Sequence, residues 1–129
     1  MNLIVASKDN QLNLALNFWF NTQPGIWVTG IASDAQGLLA LTKATRPHLI
    51  LLDEQLPGQE VSDFIVSLYA ALPSVKVVLI SNDLNFCKHG LTRKTDAVIS
   101  KNDPPGQLLQ VFQHLGWLST PPKSNFDLS

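Results

Sequence analysis

Apolar positions in this chain alternate between short unbroken runs and a helical spacing, and that alternation predicts the architecture. Leu3-Ile4-Val5-Ala6 is a short apolar run of strand character. Leu12, Leu14, Leu16, Trp19 and Phe20 then recur at roughly helical spacing, with Asp9 placed to begin that helix, until Pro24-Gly25 breaks it. Ile26-Trp27-Val28-Thr29-Gly30-Ile31-Ala32 reads as a second strand. Ser33 or Asp34 can cap a second helix carrying Leu38, Leu39 and Leu41, which ends before Pro47. His48-Leu49-Ile50-Leu51-Leu52 is an unbroken apolar strand that stops at Asp53, with Pro57-Gly58 turning the chain soon after. Such a run suits a strand buried on both faces of a parallel sheet. A third helix carries Val61, Phe64, Ile65, Leu68 and Tyr69 and stops near Pro73. Val75–Ser81 is the fourth strand and Ala97–Ser100 a short fifth. A weaker helix is expected around Leu84 to Leu91. A last one carries Leu108, Leu109, Val111, Phe112 and Leu115, with Gly116 placed to end it. Five strand–helix units in so short a chain imply an α/β protein with a doubly wound parallel sheet.

Composition narrows this to one domain. The chain has 129 residues, is 45% hydrophobic and carries a formal charge of −1, enough apolar material for a single core and too little positive charge to grip a phosphate backbone alone. No apolar stretch approaches a membrane span. The single cysteine, Cys87, excludes an internal disulfide framework and suits a reducing, cytoplasmic setting. The domain is expected over residues 1–118, with 119–129 a linker or tail marked by Pro121-Pro122.

The candidate chemistry sits at strand ends. Asp53 closes the third strand, Ser81 the fourth, and Lys101 follows the fifth. Open α/β sheets bind their ligands at that carboxyl edge. Taken singly, Asp53 suits turn chemistry, Ser81 a helix cap and Lys101 an ordinary surface lysine. Together, with Leu56-Pro57-Gly58 after the acid, they resemble a response-regulator receiver domain of the CheY-like kind. The stretch from Ser33 to Gly58 is similar to receivers of LuxR-type transcriptional regulators. The resemblance implies a flavodoxin-like, doubly wound five-stranded parallel sheet of order 2-1-3-4-5 with five helices. It further implies Asp53 as phospho-acceptor, Lys101 as a fixed cation for the phosphoryl group, and Ser81 as a hydroxyl donor to it. Mg²⁺ is the cofactor it implies, held by Asp53 and the backbone carbonyl of Gln55. Phosphoryl transfer to a carboxylate needs this combination of nucleophile, neutralising cation and positioned donors.

One departure cuts against that chemistry. Receivers carry two adjacent acidic residues after the first strand as Mg²⁺ ligands, but this chain reads Val5-Ala6-Ser7-Lys8-Asp9. One register places Ser7 and Lys8 on the acidic pair and the other places Ala6 and Ser7 there. Neither supplies the carboxylates a hard, oxygen-seeking cation prefers, so metal binding is expected to be weak or absent. Lys8 is expected to stand in for the metal, its ammonium about 4 Å from Asp53, where Coulomb attraction at an effective dielectric near 20 is on the order of 4 kcal/mol before desolvation. Two further differences point the same way. Val98 stands where receivers often place an aromatic switch residue, and Gln59-Glu60-Val61 replaces the usual Met-Asp-Gly.

Other constellations are weak. His48, His89 and His114 are scattered without metal-ligand spacing, and no nucleophile-elbow or glycine-rich phosphate loop is present. Lys88, His89, Arg93 and Lys94 form a small basic cluster. Trp19 and Trp27 are expected in the core or at its edge. The chain is therefore expected to be a non-enzymatic signalling module in one of two forms. It is an atypical receiver of a two-component phosphorelay, phosphorylated on Asp53, or a phosphorylation-independent pseudo-receiver that mediates constitutive contacts. Expected partners are a sensor histidine kinase, a second copy through the helix 4/strand 5/helix 5 face, and a C-terminal DNA-binding domain beyond residue 129.

Overall fold

The computed structural model describes residues 1–81, 95–100 and 110. Strands β1 (Asn2–Ala6), β2 (Trp27–Ala32), β3 (Leu49–Asp53), β4 (Lys76–Ser81) and β5 (Ala97–Ser100) form one parallel sheet in the order β2-β1-β3-β4-β5. Helices α1 (Asn10–Asn21), α2 (Ala35–Thr45) and α3 (Val61–Ala71) connect successive strands. The expected helices around Leu84–Leu91 and Leu108–Leu115 lie outside the described residues, as do the basic cluster at Lys88–Lys94, Lys101 and the 119–129 tail.

Period-two alternation divides the strands between two cores. Leu3, Val5, Leu49, Leu51, Val78 and Ile80 pack with Leu16 and Phe20 of α1 on one face. Ile4, Ala6, Ile50, Leu52, Val77 and Leu79 pack with Leu38 of α2 and with Phe64, Ile65 and Leu68 of α3 on the other. The central strands are buried on both faces, which is why β3 reads as a continuous apolar run.

Helix starts follow the expected capping chemistry. Asp9 caps α1 by accepting the Gln11 and Leu12 N–H groups, and Asp34 caps α2 through the Gly37 N–H. Arg46 ends α2 in a left-handed conformation (φ 48°), its N–H bonding the Thr42 carbonyl just before Pro47.

Two apolar positions depart from expectation. Leu14 lies on the outer side of α1, because Leu16 and Phe20 set the inward stripe and Leu14 is about 200° from Leu16 around the helix. Trp27 is exposed because β2 is an edge strand, covered on only one flank. Trp19 is half-buried against the α1-side core, stacked edge-on to Phe20. No helix among the described residues is long and apolar enough to cross a membrane.

At the amino edge of the sheet, Asp96 ties three elements together. It accepts the Tyr69 hydroxyl at 2.6 Å and the Val77 N–H at 2.8 Å, and its carboxylate lies 3.7 Å from the Lys76 ammonium. Burial, followed by the Asp96 carboxylate, pushes the Tyr69 phenol well above its ordinary range.

Candidate functional site

Strand register builds the site at the carboxyl edge. Ala6 pairs with Leu52, so the next residues along, Ser7 and Asp53, come side by side. Asp53 pairs with Ile80, which brings Glu54 beside Ser81 in the same way. Ser7 extends the ladder beyond β1, its N–H donating to the Ala32 carbonyl at 3.0 Å.

The resulting contact is short and dry. The Ser7 hydroxyl donates to Asp53 Oδ2 at 2.6 Å, with Ser7 1% and Asp53 0% exposed. The other carboxylate oxygen, Oδ1, accepts the Gln55 N–H at 3.0 Å, and the Asp53 carbonyl accepts the Leu56 N–H. Hydrogen bonds from a hydroxyl and an amide to an ionised carboxylate are of the strong, charge-assisted kind. Ser7 is itself held from two directions. Its Oγ accepts the Asp9 N–H at 3.0 Å, and its carbonyl accepts the Asn13 side-chain amide at 2.7 Å. Asn13 is buried on the inner side of α1, and its Oδ1 has no hydrogen-bond partner.

Ser81 is fully buried, and its hydroxyl donates to Glu54 Oε2 at 2.8 Å. Beyond Glu54, buried Leu56 anchors the loop, and the Pro57 carbonyl accepts the Ala35 N–H at 2.8 Å. Gly58 follows at φ 113°, where an added Cβ would stand 3.3 Å from both the nitrogen and the Cβ of Ala35. Val98 of β5 is half-buried and packs against the core shared by α2 and α3.

Of the residues singled out from sequence, the structure brings Asp53, Ser7 and Gln55 into one hydrogen-bonded group, with Ser81 on the adjoining Glu54. Lys101 falls outside the described residues. Lys8 departs from expectation, since its side chain is exposed and makes no ion pair with Asp53. The chain turns outward after Ser7, so the hydroxyl and not the ammonium meets the carboxylate. Sequence reading missed Asn13 and Glu54. Asn13 left a trace: it is the polar member of the α1 stripe that otherwise holds Leu16 and Phe20.

The donor set matches poorly with the Mg²⁺ that receivers employ. Both Asp53 oxygens already accept protein hydrogen bonds. The neighbour from β1 is a hydroxyl, and the Asp9 carboxylate serves as the α1 cap. No group of three His, Cys, Asp or Glu side chains converges among the described residues. An octahedral cation prefers carboxylate oxygens, and the residue that the β1 end sets against Asp53 offers a hydroxyl instead.

Comparison with known proteins places the fold. It is that of response-regulator receiver domains. A LuxR-family DNA-binding response regulator from Staphylococcus aureus superposes with a TM-score of 0.78 at 16% identity, over 88% of this chain and 97% of that one. RcsB from Salmonella enterica serovar Typhimurium, solved bound to promoter DNA with a phosphomimetic, superposes with a TM-score of 0.80 at 16% identity, over 89% of this chain and 59% of that one. In sequence, the transcriptional regulatory protein YxjL of Bacillus subtilis is 32% identical over 79 residues, 60% of this chain. The chain spans 36% of the length of YxjL and 54% of a second relative from that organism, YhcZ. No protein-family model matches the chain. The structural neighbours are thus receivers of LuxR-family regulators, and the curated relatives are transcriptional regulatory proteins.

Proposed function

We propose that this chain is an atypical receiver module of a transcriptional regulator, in which the Ser7 hydroxyl holds Asp53 in place of Mg²⁺. It acts mainly through protein contacts, without catalytic turnover of its own. The observation that carries this reading is the 2.6 Å hydrogen bond between two buried side chains at the phospho-acceptor position.

Phosphorylation of an aspartate requires a carboxylate oxygen to attack phosphorus while the leaving group departs from the opposite side. The negative charge on the phosphoryl oxygens must be neutralised throughout. Here Oδ2 is engaged by a hydroxyl donor, and among the described residues no group of three His, Cys, Asp or Glu side chains converges to hold a divalent cation. Ser81, the hydroxyl expected to meet the phosphoryl group, donates to Glu54. Breaking the Ser7–Asp53 bond to free the nucleophile costs about 1.5–3 kcal/mol, the worth of a hydrogen bond to a charged group. That cost falls on the transfer step, with no metal to offset it.

The names of the relatives, and the fraction of their length that this chain spans, favour a module joined to a DNA-binding segment. A sensor kinase or another signalling protein in the cytoplasm is its upstream partner under this reading.

The test is exposure to acetyl phosphate, and separately to beryllofluoride, with and without Mg²⁺. Intact mass and amide chemical shifts around Asp53 are the readouts. Unchanged mass and shifts are expected. A stoichiometric phosphoryl adduct on Asp53 that depends on Mg²⁺ would return the protein to the switching class, with Asp53, Ser81 and Lys101 in their usual roles.

A further inference from the structure

Alternation along the strands places the two hydrogen-bonded pairs of the carboxyl edge on opposite sides of the sheet. Asp53 follows Leu49 and Leu51 at period two on the side covered by α1, and Ser7 continues from Leu3 and Val5 to that same side. Ser81 instead follows Val77 and Leu79 on the α2–α3 side, where its hydroxyl donates to Glu54 Oε2 at 2.8 Å. Glu54 is the next residue in the chain after Asp53, yet its carboxylate serves the other pair.

Both ends of the Ser81–Glu54 bond are fixed by backbone. The Glu54 N–H donates to the Ile80 carbonyl at 3.0 Å, which carries the β3–β4 ladder one residue past Asp53, and buried Leu56 anchors the loop two residues on. Ser81 is fully buried, ends β4 and pairs with Ser100 of β5. A serine hydroxyl carries one proton. While that proton rests on Glu54, it is not given to a phosphoryl oxygen on Asp53. A hydroxyl bound to a carboxylate makes a charge-assisted hydrogen bond, so the phosphoryl group must compete with an anion already in place. A hydrogen bond to a charged group corresponds to about ten- to hundredfold in an equilibrium.

We infer that Glu54 is a positioning residue that withholds the Ser81 hydroxyl from the Asp53 site, a second lock beside the Ser7 bond. The inference rests on the reading of Asp53 as the phospho-acceptor position given above. The two locks act on different atoms and from opposite faces: Ser7 engages Asp53 Oδ2, and Glu54 engages the Ser81 proton. They are therefore released independently. Supplying a metal ligand at residue 7 leaves the Ser81 proton on Glu54, so that change alone restores only part of the site.

Titration of the full chain with beryllofluoride in the presence of Mg²⁺, followed by amide chemical shifts around Asp53, tests this in a Ser7→Asp background. Adding Glu54→Ala should tighten beryllofluoride binding by about tenfold or more. In a chain that also carries Ser81→Ala, the same Glu54→Ala change should produce no gain, because Glu54 acts through that hydroxyl. A gain that survives Ser81→Ala is a general effect of removing negative charge and overturns the inference. So does the absence of any gain from Glu54→Ala. Ser7→Ala, which frees Oδ2 without adding charge, replaces Ser7→Asp as the background if the latter does not fold. The reading of Asp53 is judged separately, with Glu54 intact. Mg²⁺-dependent beryllofluoride binding by the parent protein refutes that reading, and the Glu54→Ala and Ser81→Ala comparison is then made in the parent itself.

Discussion

Replacing Ser7 with aspartate tests the site most directly. The Ser7 Oγ is 2.6 Å from Asp53 Oδ2, and both residues are excluded from solvent. A carboxylate at that position would face a second carboxylate across roughly 4 Å, a repulsion of about 4 kcal/mol at an effective dielectric of 20. The lost hydroxyl donor adds about 1.5–3 kcal/mol. The protein can relieve the repulsion by keeping one carboxyl protonated. At neutral pH that costs about 4 kcal/mol for a group with an ordinary pKa near 3.9, so the penalty in either form is similar. The Ser7→Asp variant should therefore lose several kcal/mol in urea unfolding at neutral pH. It should regain part of this on mild acidification, because a carboxyl paired in this way holds its proton more tightly in the folded than in the unfolded state. Mg²⁺ should restore stability to the variant, by about 2.7 kcal/mol when present at a hundred times its dissociation constant, and should do little for the parent protein. A Ser7→Asp protein as stable as the parent and indifferent to Mg²⁺ would show that residue 7 does not face Asp53. A parent protein strongly stabilised by Mg²⁺ would show that the existing donors yield to the metal, against the fit argued above.

Three other outcomes follow from the same geometry. Ser7→Ala removes the hydroxyl donor to Asp53 and the acceptor for the Asp9 N–H, and should cost about 1.5–3 kcal/mol in urea unfolding; a loss of only a few tenths would mean the short contact is not formed in solution. Gly58→Ala should destabilise by about 1–3 kcal/mol, since residue 58 has φ 113° and its new Cβ would crowd Ala35; a neutral result in thermal unfolding would show that this loop relaxes freely. The folded Tyr69 phenol holds its proton above the ordinary range, so its stabilising contribution is complete below the unfolded value near 10 and is lost as pH rises beyond it. Tyr69→Phe should flatten that alkaline decline, and because Tyr69 is the only tyrosine, phenolate absorbance follows the same group directly; equal alkaline slopes in both proteins would assign the decline elsewhere.

The amino-acid sequence by itself determined the alternation of strands and helices, the burial of β3 on both faces and the position of Asp53 at its end. These are local properties. Strand and helix periods differ, and a strand buried on both faces is apolar throughout, so each leaves its mark within a few residues. The Asp9 and Asp34 caps were legible for the same reason, because a capping side chain reaches only the next two or three amides. What surrounds Asp53 was decided by tertiary structure. Ser7 and Lys8 are adjacent in the chain, and the sequence pointed to Lys8 as the neighbour of the acid; only the register Ala6↔Leu52 brings the Ser7 hydroxyl to Oδ2 and leaves the ammonium in solvent. Asn13 and Glu54 joined the site by the same route, through contacts with residues that no local spacing relates to them. The exposure of Trp27 was likewise set by sheet order, since the same apolar strand would be covered at the centre and is bare at the edge. A sequence records which face of an element is apolar. Which side chains meet at a strand end depends on how neighbouring strands are staggered, and a shift of one residue exchanges one partner for another.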